Sequence, residues 1–418
     1  MPKGDPAMTG GDSPIELVPA RTSDVERLVA IHASSFPDAR GFPERRANFM
    51  DNPRGAIGDL FAARAPSGEL VGHGFLFRMK TWIAGGEVQV GGVASIGVAP
   101  EARGRRVGAA IVRGLLEESR RRGDALQLLH PFAHRFYAAL GFGATSPMVR
   151  LRVPTAALPH RDEAARTRRA SAHDLARISA GYALAARAGS GLLARSEALF
   201  AKKLAAPGVT TFVVAGDHAD APVRGHVSLS FDASGHGDDE LCVRELVARD
   251  DEARRALIGV LAAHRDQAPT VELTLAGDDP LPLLVAEPRA SHAAYVWQHL
   301  HPLGRLVAGP MARAVEVSAL LRARGWLEAG RVDLRVVDGD EREAPAIGLT
   351  VRDGGVELGP AVDEPLVVDV ATFTSIALGS LRPSDAARHG RLRSTPRRLA
   401  ELDRLFATGA PFFCLDEF

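Results

Sequence analysis

The fold turns on three neighbouring stretches: Val93-Ala-Ser-Ile-Gly-Val-Ala-Pro100, Glu101-Ala-Arg-Gly-Arg-Arg-Val-Gly-Ala109, and Leu128-Leu-His-Pro-Phe-Ala-His-Arg-Phe-Tyr137-Ala-Ala-Leu-Gly-Phe142. The first reads as the end of a strand. The second is a turn rich in arginine and glycine that enters an amphipathic helix over 107–122, with Gly123 as its stop. A buried strand over 125–129 follows, then a short helix carrying Tyr137.

Working outward, 15–19 is a short strand, and a helix opens at Thr22 or Ser23 as N-cap. The runs 60–63 and 70–79 form a hairpin across Pro-Ser-Gly, and 141–151 is the last strand of a first domain, 14–156. A second domain, 157–308, repeats the order: helix from Ser171, hairpin 210–215 and 223–231, strand 241–247, helix 250–264, strand 270–275. Gly97-Val-Ala-Pro-Glu-Ala-Arg-Gly-Arg-Arg and Leu246-Val-Ala-Arg-Asp-Asp-Glu-Ala-Arg-Arg precede corresponding helices, which argues for duplication. The third domain, 309–418, runs from strands to helices, an α+β layer.

The 418 residues exceed one ordinary core, and 46% hydrophobic with 24% charged residues is a globular composition. A formal net charge of zero gives no global attraction to nucleic acid or to an anionic membrane. Only Lys3, Lys80, Lys202 and Lys203 are lysines, so a local arginine cluster carries little weight by itself. Cys242 and Cys414 make no metal motif, and a reducing compartment is the simpler reading. Residues 1–13 are polar, without a signal-peptide core, and read as a flexible tail of a cytoplasmic protein. The acids of His236-Gly-Asp-Asp-Glu240 read as solvated, Arg120-Arg-Arg122 as dipole partners of their helix, and His130 and His134 as local structural residues.

A coenzyme A thioester presents a pyrophosphate, a pantetheine arm and a reactive carbonyl. Backbone N–H groups converging at a helix start suit the pyrophosphate, and Arg103, Gly104, Arg105, Arg106, Val107, Gly108 and Ala109 stand there. The edge of Ile96-Gly97-Val98 can pair with pantetheine amides, and one of its N–H groups can hold the thioester oxygen. Tyr137, one of three tyrosines with Tyr182 and Tyr295, can protonate a leaving thiolate.

These residues resemble the GNAT acetyltransferase superfamily, whose phosphate turn reads Arg/Gln-x-x-Gly-x-Gly/Ala. Arg103 and Gly108 match its ends, while Arg106 stands where glycine is usual. The whole chain after residue 14 resembles the enhanced intracellular survival family within it. The likeness rests on Ser35-Phe-Pro-Asp38, Asp279-Pro-Leu-Pro-Leu-Leu, Leu378-Gly-Ser-Leu-Arg-Pro-Ser, Arg397-Arg-Leu-Ala-Glu-Leu-Asp-Arg-Leu-Phe and the closing Glu417-Phe418. It implies two tandem GNAT-like domains, α/β, followed by a sterol-carrier-protein-like α+β domain. It also implies acetyl-CoA as cosubstrate without a metal, with Phe132 and Ala133 among the residues that touch it. By the same resemblance the terminal carboxylate of Phe418 is the base and Tyr137 the acid. Asp38 and Glu417 then line an acidic pocket for polycationic amines such as aminoglycosides, in a hexamer built as a dimer of trimers.

The apolar run Pro411-Phe-Phe-Cys-Leu415 agrees with a buried chain end. The second domain lacks glycine at its turn and places Asp250 and Asp251 where phosphate would sit, so it reads as a scaffold without a coenzyme site. Two rivals remain: a protein or peptide lysine acetyltransferase, and a non-catalytic CoA- or lipid-binding protein.

Overall fold

A computed structural model describes residues 15–38, 40–232, 240–287, 301–339 and 344–418. The expected tail 1–13, the acidic loop up to Asp239 and Tyr295 lie outside the described residues. Packing divides the chain into two compact units, one from 1–78 with 91–122, the other from 79–90 with 123–418.

In the first unit, β1 (Glu16–Pro19) lies antiparallel to β4 (Leu60–Arg64), and β4 to β5 (Leu70–Ile83), with β6 (Gly86–Val98) next in order. A small ribbon of β2 (Asp51–Asn52) and β3 (Gly55–Ala56) follows the helices α1 (Val25–Ser35) and α2 (Phe42–Met50). The expected Thr22 or Ser23 cap is not made. Thr22–Asp24 form a 3-10 turn instead, because the Asp24 carboxylate accepts the Arg21 N–H at 3.0 Å and pairs with Arg64. Helix α3 (Val107–Arg122) buries Val107, Ile111, Val112, Leu115 and Leu116, the i, i+4 stripe of an amphipathic helix. Each buried Leu or Ile there contributes about 1.5–3 kcal/mol. The helix can lie on β5 because Gly72 and Gly74 face it. A Cβ at Gly72 would stand 2.8 Å from both Ile111 and the Gly97 carbonyl oxygen. Gly123, at φ +77°, ends the helix as expected.

The second unit begins with β7 (Leu126–Leu129), the short α4 (His134–Ala138), β8 (Gly143–Ala144) and β9 (Met148–Pro154). The sequence reading made 141–151 one final strand of the first domain. The chain breaks at Thr145–Pro147 instead, and β9 joins the next sheet. That sheet runs β10 (Thr167–Arg169), β11 (Thr210–Val214), β12 (Gly225–Asp232), β13 (Glu240–Ala248), β14 (Thr270–Ala276), β9, β15 (Gly304–Val307). Only β13 and β14 are parallel, joined through α7 (Asp251–Ala263). The place beside β7 and β8 is taken by β16 (Met311–Ala314). Met311 stands opposite both Leu129 and Ala144, and the Thr145 hydroxyl and N–H both bond the Pro310 carbonyl.

Leu257, Ile258 and Leu261 of α7 fill a core with Val227, Leu241, Val271 and Leu273. A second core gathers Trp82, Ile178, Tyr182 and Phe200 around α5 (Leu175–Ala188) and α6 (Glu197–Leu204). After α8 (Leu281–Leu284) and α9 (Val317–Ala323), a four-stranded sheet is ordered β19 (Gly355–Pro360), β18 (Ile347–Arg352), β17 (Gly330–Val337), β20 (Leu366–Asp369). Helices α10 (Val370–Ala377), α11 (Pro383–Arg388) and α12 (Pro396–Leu405) follow it. Among the described residues no helix is long and apolar enough to cross a membrane.

Candidate functional site

In the first unit the chain leaves β6 at Val98 and reaches α3 through an exposed turn, Arg103–Arg106. Gly104 (φ +78°) and Arg106 (φ +59°) both adopt the left-handed conformation. Glycine does so freely, whereas a residue with a Cβ gives up roughly 1–2 kcal/mol. Arg106 therefore keeps the backbone shape that glycine gives elsewhere. The Ala110 N–H bonds the Arg106 carbonyl at 3.1 Å, closing the first helical turn. The N–H groups of Val107, Gly108 and Ala109 precede it and have no carbonyl one turn back, so they and the helix dipole favour an anion. The Arg103 guanidinium donates to the Val98 and Ser34 carbonyls at 3.3 and 2.9 Å. It ties the turn to β6 and α1, and offers an anion its charge more than its hydrogen bonds.

Ser95, at φ +48°, kinks β6 just before Ile96-Gly97-Val98. Behind Gly97 lies His73, and a Cβ at Gly97 would come within 2.4 Å of its Nε2. His73 is fully buried, and neither ring nitrogen reaches a partner in good geometry. Burial lowers its pKa to about 3, with His32 adding to the effect and the Ser95 main chain offsetting part of it. His32 stacks on it at 5.7 Å and is lowered to about 4 by burial, then by Arg45 and Arg40. The buried Arg45 bonds His32 Nδ1 at 2.9 Å, the Phe36 carbonyl at 2.9 Å and Asp38 Oδ1 at 2.6 Å. Asp38 also accepts from Arg40 Nε at 2.8 Å, and that guanidinium holds its carboxyl down at about 2. Asp38 is thus an ion-paired carboxylate. Arg45, hidden among many arginines, is the residue that shapes its loop.

In the second unit Tyr137 is buried among Phe132, Phe136 and Phe142, with ring centroids 5.5, 4.9 and 5.8 Å away. Burial pushes its phenol up to about 12, so it stays protonated at any working pH. Phe132 is largely exposed and Ala133, half-buried, is the N-cap of α4.

At the chain end Phe412, Cys414 and Asp416 are buried, Glu417 is exposed and Phe418 is half-buried. His130, read from sequence as a local structural residue, reaches this end. Its Nε2 lies 2.9 Å from the Asp416 carbonyl oxygen, and its ring 5.1 Å from the Phe418 ring. A carbonyl can only accept, so Nε2 carries the proton and Nδ1 is the acceptor nitrogen. The Asp416 side chain pairs with Arg195 of the second domain, a contact the sequence did not signal.

The corresponding turn of the second domain is closed by its own acid. Asp250 caps α7 by accepting the Ala253 N–H at 2.8 Å, and its oxygens take Arg224 Nε and Nη2 at 2.9 and 2.8 Å. Arg224 holds that carboxyl below its ordinary value. A phosphate there would meet a carboxylate already bound to the helix mouth. Among the described residues no group of three or more His, Cys, Asp or Glu could hold a metal ion, and Cys242 and Cys414 are free thiols.

Residues 16–145 and 191–308 match two acetyltransferase (GNAT) domain families, and 317–414 match the sterol carrier protein domain. No curated protein sequence matches the chain. Among solved structures, a GCN5-related N-acetyltransferase from Kribbella flavida is 26% identical, with TM-score 0.79, over 97% of this chain and 98% of that one. Eis1 from Mycobacterium abscessus is 24% identical, with TM-score 0.76, over 97% and 100%. A GCN5-related N-acetyltransferase from Anabaena variabilis is 20% identical, with TM-score 0.79, over the same shares. The last two likenesses speak to the fold. The chain carries two tandem GNAT domains and a sterol-carrier-like domain, and it is an acyltransferase.

Proposed function

We propose that the chain transfers the acetyl group of acetyl-CoA to an amine of a polycationic small molecule, as an Eis-like enzyme acting on aminoglycoside-type acceptors. The α-carboxylate of Phe418 takes the proton from the acceptor ammonium, and the freed amine attacks the thioester carbonyl. The C–S bond breaks as the amide forms, and the thiolate receives the Tyr137 proton. The turn Arg103–Ala109 fits the pyrophosphate through its helix-start N–H groups, and Ile96–Val98 fits the pantetheine arm.

The observation that carries this reading is the ordered chain end. Termini ordinarily fray, yet here Phe412, Cys414 and Asp416 are buried up to the second residue before a terminal carboxylate beside His130. The neutral phenol of Tyr137 supports its role as acid. Glu417, being exposed, is the acid available to draw a cationic acceptor. Asp38 already carries two guanidinium partners and shares its oxygens with any ammonium it meets. The same proposal includes a cytoplasmic homohexamer, a dimer of trimers, which light scattering would weigh directly.

The test measures thiol release from acetyl-CoA over a panel of amines, with enzyme tagged at either end. The N-terminally tagged enzyme turns over polycationic amines. A C-terminal extension or amidation abolishes most turnover, and equal activity of the two forms refutes the terminal base.

A further inference from the structure

The second domain holds a buried ionic cluster that none of the chemistry above uses. Arg195 lies at its centre with a fully buried side chain. Its Nε donates to both oxygens of Asp416 at 2.9 and 3.0 Å, and Nη1 bonds Glu245 at 2.9 Å. The guanidinium lies over the Tyr182 ring at 4.2 Å and the Phe200 ring at 5.3 Å. Lys203 Nζ comes within 3.4 Å of Asp416, and His226 Nε2 within 2.8 Å of Glu245. Burial alone would raise the Glu245 carboxyl, but Arg195 and His226 outweigh it and hold Glu245 below its ordinary value.

We propose that this cluster is a docking site for the chain's own end, with Arg195 and Asp416 as positioning residues for the Phe418 carboxylate. The docking stands on geometry alone, while its catalytic consequence rests on the terminal-base reading. A buried ion pair is a poor means of gaining stability, since apolar residues of similar size do as well or better. What such a pair supplies is one fixed arrangement. The tail is guided to it by the Phe413 N–H on the Ser190 carbonyl at 2.9 Å. Gly191, at φ +104°, leaves room there that a Cβ would fill, 2.5 Å from the Phe413 nitrogen. The His130 contact to the Asp416 carbonyl is the last anchor.

Beyond Asp416 only two residues remain, so the terminal carboxylate is confined to about 7 Å of an anchored point. Without that anchor the last fixed residue is Phe413, and five residues reach about 17 Å. The accessible volume grows roughly tenfold or more, and the effective concentration of the base falls by the same factor.

The test compares wild type with Asp416→Asn, Arg195→Lys and Arg195→Met in the full chain. Release of Phe418 by a carboxypeptidase is followed by mass spectrometry, and kcat and KM for acetyl-CoA are measured alongside. Asp416→Asn is expected to release Phe418 about tenfold faster or more, and to lower kcat by a similar factor with KM for acetyl-CoA unchanged. Arg195→Lys recovers part of both relative to Arg195→Met. Asp416→Asn leaves Arg195 paired with Glu245, so it decides the matter even if the Arg195 variants fail to fold. A folded Asp416→Asn protein with the wild-type release rate overturns the docking site. Faster release with unchanged turnover supports the docking and sinks the terminal base.

Discussion

Acid should loosen the first unit through His73, and the size of the effect follows from its burial. An unfolded histidine takes a proton near pH 6.5, whereas folded His73 refuses one until about 3 and His32 until about 4. Because the folded pKa values are depressed, this stability is complete above pH 6.5 and is lost as the pH falls toward them. Each histidine that protonates only on unfolding costs about 1.4 kcal/mol per pH unit. From pH 7 to 5 the share of His73 is therefore roughly 2 kcal/mol. His73→Leu removes that share at nearly constant volume, and also removes two ring nitrogens that have no partner. Hydrogen exchange of peptides from β5 reads the opening free energy of this unit without assuming that a three-domain chain unfolds in one step. The difference between wild type and variant should change by about 2 kcal/mol between pH 7 and 5, in the variant's favour at the lower pH. Carboxylates common to both proteins cancel in that difference. A pH-independent difference would refute the argument, and would mean that His73 has found a partner or water in solution.

Tyr137→Phe should lower kcat by about two to four orders of magnitude with acetyl-CoA affinity kept. With its phenol raised to about 12, wild-type kcat should show no loss from tyrosine ionisation up to pH 10, so a Tyr137-dependent alkaline limb at pH 9 counts against its burial. Calorimetry should find one coenzyme A per chain, because Asp250 and Arg224 close the second turn. A stoichiometry of two would overturn that. Arg106→Gly should leave the melting temperature unchanged or slightly raised, since a left-handed arginine costs roughly 1–2 kcal/mol and glycine's unfolded-state entropy takes back about 0.4–1. Coenzyme binding should persist in that variant, and its loss would show that the Arg106 side chain is needed.

Much of the architecture was legible because it rests on local pattern. The stripe from Val107 to Leu116 and the stop at Gly123 bound α3 unambiguously, and Asp250 and Thr395 mark the starts of α7 and α12 through their caps. What escaped depends on distant partners. The strand β9 alternates as well for one sheet as for the other, and only pairing with β14 and β15 decides its place. The strand β20 is four residues long, too short for a period to register. Asp38 was legible as an acid of the Phe-Pro-Asp loop, but not as the partner of Arg45. Asp416 meets Arg195 across 221 residues, and in a chain so rich in arginine nothing local marks that one.

The exchange of β9 for β16 bears on how the chain is made. As synthesis proceeds, β7 and β8 emerge early, yet the strand that lies between them is Met311–Ala314, roughly 170 residues later. At ribosomal rates of about 5–20 residues per second, their facing edges wait on the order of ten to thirty seconds for a partner. Through that interval they are open to strands of neighbouring nascent chains. A ribosome pause or a premature stop between 145 and 310 therefore leaves a domain whose sheet is unfinished, although every residue of its coenzyme turn has already been made.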